Sequence, residues 1–367
     1  MLREDFESLE RELLSPFATL SIKSKGRAMP EEKDLYRTEF ERDVDRIIYS
    51  RAFRRLQYKT QVFIAPRGDH YRNRLTHTLE VMTLARSISR SLRLNLDLTE
   101  AIALGHDLGH SPFGHAGENA LNYKCKEYHS EMSFSHPAQS VRVIDLLERR
   151  TRSDGITVFG LNLTEEVRNG ILKHSKGLLD WSQLNKFDIP STLEGQVVRI
   201  SDRIAYLHHD IDDAIRAELI SESDIPEKAR KILGNTNSKR LSTMVMNVIE
   251  QSNDKDSIQI DTPTEEAMDE IKNFLKERVY EGPQPKKEEG RVMRLVSYLF
   301  DYFYKDPEKL EEYLKNHPLS VSTEDPVELI KTDSKERIRV ICDHISSMTD
   351  RFAIELVEQI TIPGPPN

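Results

Sequence analysis

Gly105-His106-Asp107-Leu108-Gly109-His110-Ser111-Pro112-Phe113-Gly114-His115-Ala116-Gly117-Glu118 places three histidines, an aspartate and a glutamate within fourteen residues. The apolar run Ala101-Ile102-Ala103-Leu104 leads straight into it, and Gly109, Pro112 and Gly114 break it up. A polar group buried without a partner costs roughly 2–7 kcal/mol by transfer, so such a cluster is solvated, mutually bonded or holding a metal. The pattern reads as a half-buried helix carrying its last polar residues to a cleft.

Upstream of this stretch the spacing is also helical. Asp97 and Glu100 resemble a capping box for the helix that carries His106 and Asp107. Leu75, Leu79, Met82, Ala85, Ile88 and Leu92 form an apolar stripe that leaves Arg74 and His77 to one side, one turn apart. Gln61-Val62-Phe63-Ile64 reads as a short strand or extended arm ended by Pro66-Arg67-Gly68-Asp69. From Asp34 to Leu56 a helical face of Phe40, Ile47, Ile48, Ala52 and Phe53 is expected, with its many charges tied in ion pairs. Residues 1–20 form an amphipathic helix ending near Ser15-Pro16.

Downstream, Pro137 suits the first turn of a helix running to about Arg150. Asp154-Gly155 before Thr157-Val158-Phe159 suits a small hairpin. Helices are then expected over Thr164–His174 and Glu194–Ile220, and near 226–233, 239–252, 264–281, 290–304, 307–316, 326–345 and 349–360. Gly282-Pro283-Gln284-Pro285-Lys286-Lys287 is read as a loop or internal boundary. Repeated β-rich runs are absent, so the fold class is all-α with at most a small hairpin or short strands. An N-terminal helical segment (1–60), a core (61–225) and a C-terminal helical region of the same globular unit (226–367) are the expected divisions.

The 367 residues carry 31% charged and 37% apolar side chains and a formal charge of −9. No apolar run approaches the roughly 20 residues of a spanning helix, and the charged opening Met1-Leu2-Arg3-Glu4-Asp5 is unlike a secretory signal, so a cytoplasmic protein without membrane attachment is expected. Cys125 and Cys342 fit neither a disulfide framework nor a ligand spacing. The acidic average argues against broad nucleic-acid affinity, yet Arg51, Arg54, Arg55, Lys59, Arg67, Arg72 and Arg74 outline a basic pocket. There is no GxGxxG and no GxxxxGK[ST], so any phosphate chemistry must use side chains and a metal.

His106 and Asp107 can reach one ion lying off the helix edge, with His77 and Asp202 as further ligands. Asp202, Tyr206 and Asp210 are spaced by four and line one face of their helix. Two imidazoles and two carboxylates without a thiolate suit Mn²⁺, Mg²⁺, Fe²⁺ or Zn²⁺. A hydrogen-bonded polar core would use the same residues. His115 and Glu118, three apart, can form an acid/base pair or simply an exposed local pair.

His77, His106-Asp107 and Asp202 resemble the H…HD…D signature of the HD-domain metal-dependent phosphohydrolases. Tyr36 to Asp43, Phe53 to Phe63, Gly105 to Glu118 and Met348 to Ala353 are similar to the bacterial dGTP triphosphohydrolase branch of that superfamily. The resemblance implies the HD-domain helical fold and one divalent metal per subunit on His77, His106, Asp107 and Asp202, with Mn²⁺ or Mg²⁺ ahead of Fe²⁺ or Zn²⁺. It implies proton transfer by His115 with Glu118, phosphate contacts from His110, His136 and Arg74, and a deoxyribose site at Gln61, Tyr206 and Asp210. His129 competes with His136, and Arg351 is a weaker phosphate candidate. The implied activity is hydrolysis of a dNTP, dGTP or several, to deoxynucleoside and tripolyphosphate. A dNTP activator, a homo-oligomer (hexamer or tetramer) and single-stranded DNA binding are implied partners. The alternatives are an HD hydrolase of nucleoside monophosphates or cyclic nucleotides, and a regulator that binds nucleotide or single-stranded nucleic acid.

Overall fold

The computed structural model describes residues 1–61, 72–152, 154–175, 188–316 and 330–363. In chain order its elements are α1 (Arg3–Leu13), α2 (Glu39–Ile48), α3 (Arg51–Arg55), α4 (Arg74–Ser91), α5 (Leu96–Gly105), α6 (Gly114–Tyr128), α7 (His136–Arg142), β1 (Arg149–Thr151) and β2 (Thr157–Phe159). There follow α8 (Glu165–Lys173), α9 (Leu193–Arg216), α10 (Glu227–Leu233), α11 (Asn237–Ser252), α12 (Thr262–Leu275), α13 (Pro283–Lys305), α14 (Pro307–Asn316), α15 (Ser334–Ser347) and α16 (Asp350–Thr361). The all-α expectation holds. β1 and β2 form one antiparallel pair, Arg149 opposite Phe159, at the hairpin read from Asp154-Gly155. The expected strand at 62–64 lies outside the described residues. Among the described residues, no helix is long and apolar enough to cross a membrane.

The chain divides into two compact units, each assembled from separated segments. The first comprises Met1–Ile48, Thr76–His106 and Asn162–Lys286; the second comprises Tyr49–Leu75, Asp107–Leu161 and Lys287–Asn367.

In the first unit α5 is the central rod. Leu98, Ala101, Ile102, Ala103 and Leu104 are all buried, and α5 packs against α2, α8 and α9. A helix that is apolar around its circumference belongs in a core. Its start differs from expectation: Asn95 is the cap, its side chain accepting from the Asp97 and Leu98 N–H groups, while Glu100 is spent on Arg86. The amide of Asn95 reaches two orphan donors of the first turn, which leaves Asp97 inside the helix.

α4 is rotated relative to the expected stripe. Leu79 is 41% exposed, whereas Arg74, His77, Thr78, Val81, Ala85 and Ile88 are buried. Arg74, His77 or Thr78, Val81, Ala85 and Ile88 recur at three or four residues, so the chemistry-bearing side chains lie within the buried face instead of beside it. Ile48 is likewise exposed, because α2 ends there and Ser50 caps a new short helix by accepting from Phe53 N. The charges of that region are paired as expected, Arg37 with Asp34 and Asp45, Arg27 with Asp43, and Arg46 with Glu31.

The second unit is built on a core that includes Leu121, Cys125, Val296, Phe300, Phe303, Ile341 and Ile345. Cys125 and Cys342 are free thiols within it. Gly109 is required by close approach: a Cβ there would lie 2.1 Å from Ser140 N. Phe113 adopts φ 62°, and its N–H is held by Asp350, whose other carboxylate oxygen takes the Thr60 N–H. α7 stops at Arg142, short of the expected Arg150, because one π turn (Val143–Leu147) hands the chain to β1. The loop read at Gly282–Lys287 is confined to Glu281-Gly282, and Pro283 opens α13. A first-turn proline gives up an N–H that a helix start leaves unused anyway.

Asp97 offers a test of this packing. Burial, then the charges of Glu41, Glu10 and Glu100, push its carboxyl up to about 6 from an ordinary 3.8. A raised folded-state pKa means the native state holds the proton more tightly, so this contribution is complete below about pH 4 and is lost as pH rises through 6. Asp97→Asn is expected to stabilise the chain by about 1–3 kcal/mol at pH 7 and hardly at all at pH 4. Urea unfolding at both pH values checks this; equal midpoints for the two proteins at pH 7 would contradict it.

Candidate active site

Each unit gathers its own polar constellation. In the first, α4 contributes His77, the end of α5 His106, the end of α8 His174, and α9 both Asp202 and His209. His77 Nε2 lies 3.1 Å from Asp202 Oδ1, and His106 Nε2 lies 4.0 Å from the same oxygen. His106 donates its Nδ1–H to Ala103 O at 2.6 Å. Since a carbonyl can only accept, the proton is on Nδ1 and Nε2 is the atom turned toward Asp202. His77 Nδ1 lies 2.9 Å from His209 Nε2, and His209 Nδ1 lies 2.7 Å from Asp210 Oδ1. Burial raises the Asp202 pKa, but the hydrogen bond from His77 and the pull of His106 and His77 outweigh it and hold the carboxylate well below its usual range.

Along α9 the second feature is Asp210, which accepts from the Tyr280 hydroxyl. Burial, then the Asp210 charge, pushes the Tyr206 phenol up, and burial with Asp210 and Tyr206 does the same to Tyr280. The expected face of Asp202, Tyr206 and Asp210 therefore exists, with Tyr280 added to it.

In the second unit Arg74 Nη1 donates to Asp107 Oδ2 at 2.6 Å, both side chains being buried. Arg74 Nε and Nη2 have no hydrogen-bond partner among the described residues. Glu118 accepts from His136 N at 2.8 Å and sits 3.0 Å from His136 Nδ1 through both oxygens. His115, largely exposed, is 3.4 Å away through Nδ1. Glu118 thus binds His136 more closely than the His115 expected to be its partner. Burial works to raise the Glu118 pKa, but the charge of His136 and the hydrogen bonds from His115 and His136 drive it far down. His110 stacks on His136 with ring centroids 4.5 Å apart; burial, then Arg74 and His136, holds its pKa well below 6.5, so the ring is neutral. His136, and not His129, is the histidine brought to Glu118.

Profile matches and relatives decide the family. Residues 74–207 match the HD domain and residues 258–359 the phosphohydrolase-associated domain. A deoxyguanosinetriphosphate triphosphohydrolase-like protein of Caldanaerobacter subterraneus subsp. tengcongensis is 48% identical over 99% of this chain and 97% of its own length. Proteins of the same description from Desulfatibacillum aliphaticivorans (44% identical, 99% of each chain) and Clostridium tetani (40%, 99% of this chain and 97% of its own) are also similar. The chain belongs to the HD-domain family, in its deoxyguanosinetriphosphate triphosphohydrolase-like branch.

HD domains are metal-dependent hydrolases, and the donors of the first unit fit such an ion. Two donors about 2.1 Å from one ion lie about 3.0–4.2 Å apart, the range of the two Nε2–Asp202 distances. A backbone carbonyl on the Nδ1 side, as His106 has in Ala103, is a partner that orients metal-binding histidines. Asp107 follows His106 directly in the chain.

Three residues of this HD-domain protein escaped the sequence reading. His209 is seven residues from Asp202, two full turns, and so shares its face. His174 ends the buried series Val167, Ile171, His174. Tyr280 carries no spacing signal, because it reaches Asp210 from a separate helical turn. Conversely, the basic pocket is largely spent: Arg55 pairs with Glu148, Lys59 is buried, Arg67 lies outside the described residues, and Arg351 is exposed beside Glu355. Gln61 is half-buried, near Gly114.

Lys59 Nζ donates to His110 O at 2.5 Å and to Ser346 O at 2.7 Å, fixing the backbone behind His110. Lys59→Met keeps the stem and strands both buried carbonyls, at about 1–3 kcal/mol each. A loss of about 2–5 kcal/mol in urea unfolding is expected; a wild-type midpoint would show that the two bonds do not hold this loop.

Proposed function

We propose that this HD-domain protein is a metal-dependent dNTP triphosphohydrolase that converts a dNTP to deoxynucleoside and tripolyphosphate. The cation ligands are His77, His106, Asp107 and Asp202. The observation that carries the reading is the convergence of two imidazoles from different helices, His77 and the tautomer-fixed His106, on one oxygen of Asp202. The names of the relatives support the substrate class.

A divalent cation supplies Lewis acidity to a phosphoryl oxygen and to water. The chain's own residues supply the rest. Arg74 keeps two of its guanidinium nitrogens for phosphate oxygens while the third is tied to Asp107, a planar fork suited to an oxyanion. His110, neutral and buried, offers a hydrogen bond without adding charge, and His136 beside it is oriented by Glu118. Glu118 stays ionised throughout the working pH range, so it orients histidines and does not itself donate a proton. His115, exposed and only loosely held, is the group that moves one between solvent and the reacting oxygens.

In the reaction, a water oxygen bonds to the α-phosphorus, the bond from that phosphorus to the 5′-oxygen breaks, and a proton goes to the 5′-oxygen. Asp210, braced by Tyr280, accepts from the sugar 3′-hydroxyl. Tyr206, one turn earlier, crowds the 2′ position, and Gln61 completes the sugar contacts.

Incubation with each of the four dNTPs, singly and in pairs, with Mn²⁺ or Mg²⁺ tests the reading. Intact tripolyphosphate and deoxynucleoside are expected, and His106→Ala or Asp107→Ala is expected to lower turnover at least about 10³-fold with the fold preserved by circular dichroism. Release of pyrophosphate or monophosphate instead, or undiminished turnover in either variant, would overturn it.

A further inference from the structure

We propose that His174 is an additional protein ligand of the cation, an inference that rests on reading His77, His106 and Asp202 as cation holders. The ligand atoms of His106, His174 and Asp202 all lie within 4.8 Å of one another. The rings of His106 and His174 meet edge to face, with centroids 5.0 Å apart and planes at 73°. Donors sharing one ion reach at most about 4.2 Å apart, so a sub-ångström shift brings the donors of His106, His174 and Asp202 within range of one another.

The local chemistry of the two histidines is the same. Each stands immediately after the last residue of a helix, α5 or α8. Each donates Nδ1–H to the carbonyl three residues back, His106 to Ala103 at 2.6 Å and His174 to Ile171 at 2.7 Å. That bond fixes the tautomer in which Nε2 carries the lone pair. His174 is 2% exposed, at the end of a helix that packs against both α5 and α9, the helices that lead to His106 and carry Asp202.

The consequence concerns metal choice. With His174 the first unit offers three imidazoles to one carboxylate, and even with Asp107 nitrogen outnumbers oxygen. Such a set favours Mn²⁺, Fe²⁺ or Zn²⁺ over Mg²⁺, which prefers oxygen and retained water.

The test uses the full chain and Mn²⁺. Electron spin echo envelope modulation of the wild-type Mn²⁺ complex is expected to count three coordinated imidazole nitrogens. Mn²⁺ titration followed by electron paramagnetic resonance is expected to give a Kd about 10–100-fold weaker for His174→Ala and His174→Gln, with melting curves recorded to confirm folding. Two imidazole nitrogens in the wild type, or wild-type affinity in both His174 variants while His106→Ala loses the ion, would overturn the role of His174 and leave the cation reading intact. A wild-type protein that binds no Mn²⁺, Zn²⁺ or Mg²⁺ overturns both.

Discussion

The hydrogen bond from His106 Nδ1 to the carbonyl of Ala103 is the constraint on which the first unit's chemistry turns. α5 is buried nearly all round, so its C-terminal carbonyls cannot be left to water. Giving one of them to the ring of the next residue satisfies the helix end and fixes the histidine's tautomer in one act. The core that makes α5 rigid therefore also aims Nε2, and the same arrangement recurs at the end of α8.

From Asp202 a continuous line of side chains runs along α9. Asp202 meets His77, His77 meets His209, His209 lies against Asp210, and Asp210 accepts from Tyr280. Asp202 among the proposed cation ligands, and Tyr206 and Asp210 among the proposed sugar contacts, thus share one helix. His77 Nε2–H can donate to Asp202.

Periodicity made most of the fold legible, because apolar spacing at three and four residues is imposed by helix geometry itself. It failed where two residue types compete for one face. The spacing puts Leu79 inside and His77 beside the stripe, yet the buried face of α4 is the one bearing Arg74 and His77, since a polar residue with a dedicated partner can outcompete a leucine for burial. Asn95 took the cap expected of Asp97 because its amide reaches two orphan N–H groups from outside the helix. At the site, the H…HD…D residues could be read from the chain, and the structure brings His77, His106 and Asp202 together. His174 and Tyr280 could not be read, because contacts across α8 and beyond α12 are made by tertiary packing and leave no motif. His209 was legible in principle, two turns from Asp202. The closer bond of Glu118 to His136 than to His115 depends on where α7 begins, which local spacing does not specify.

Crystals soaked in Mn²⁺ and measured at the manganese absorption edge test the central claim most directly. The account predicts one anomalous peak per chain, bonded at about 2.0–2.3 Å to Nε2 of His77, Nε2 of His106 and a carboxylate oxygen of Asp202. A peak elsewhere, or Asp202 and His77 still directly hydrogen-bonded with no ion between them at saturating Mn²⁺, would contradict it.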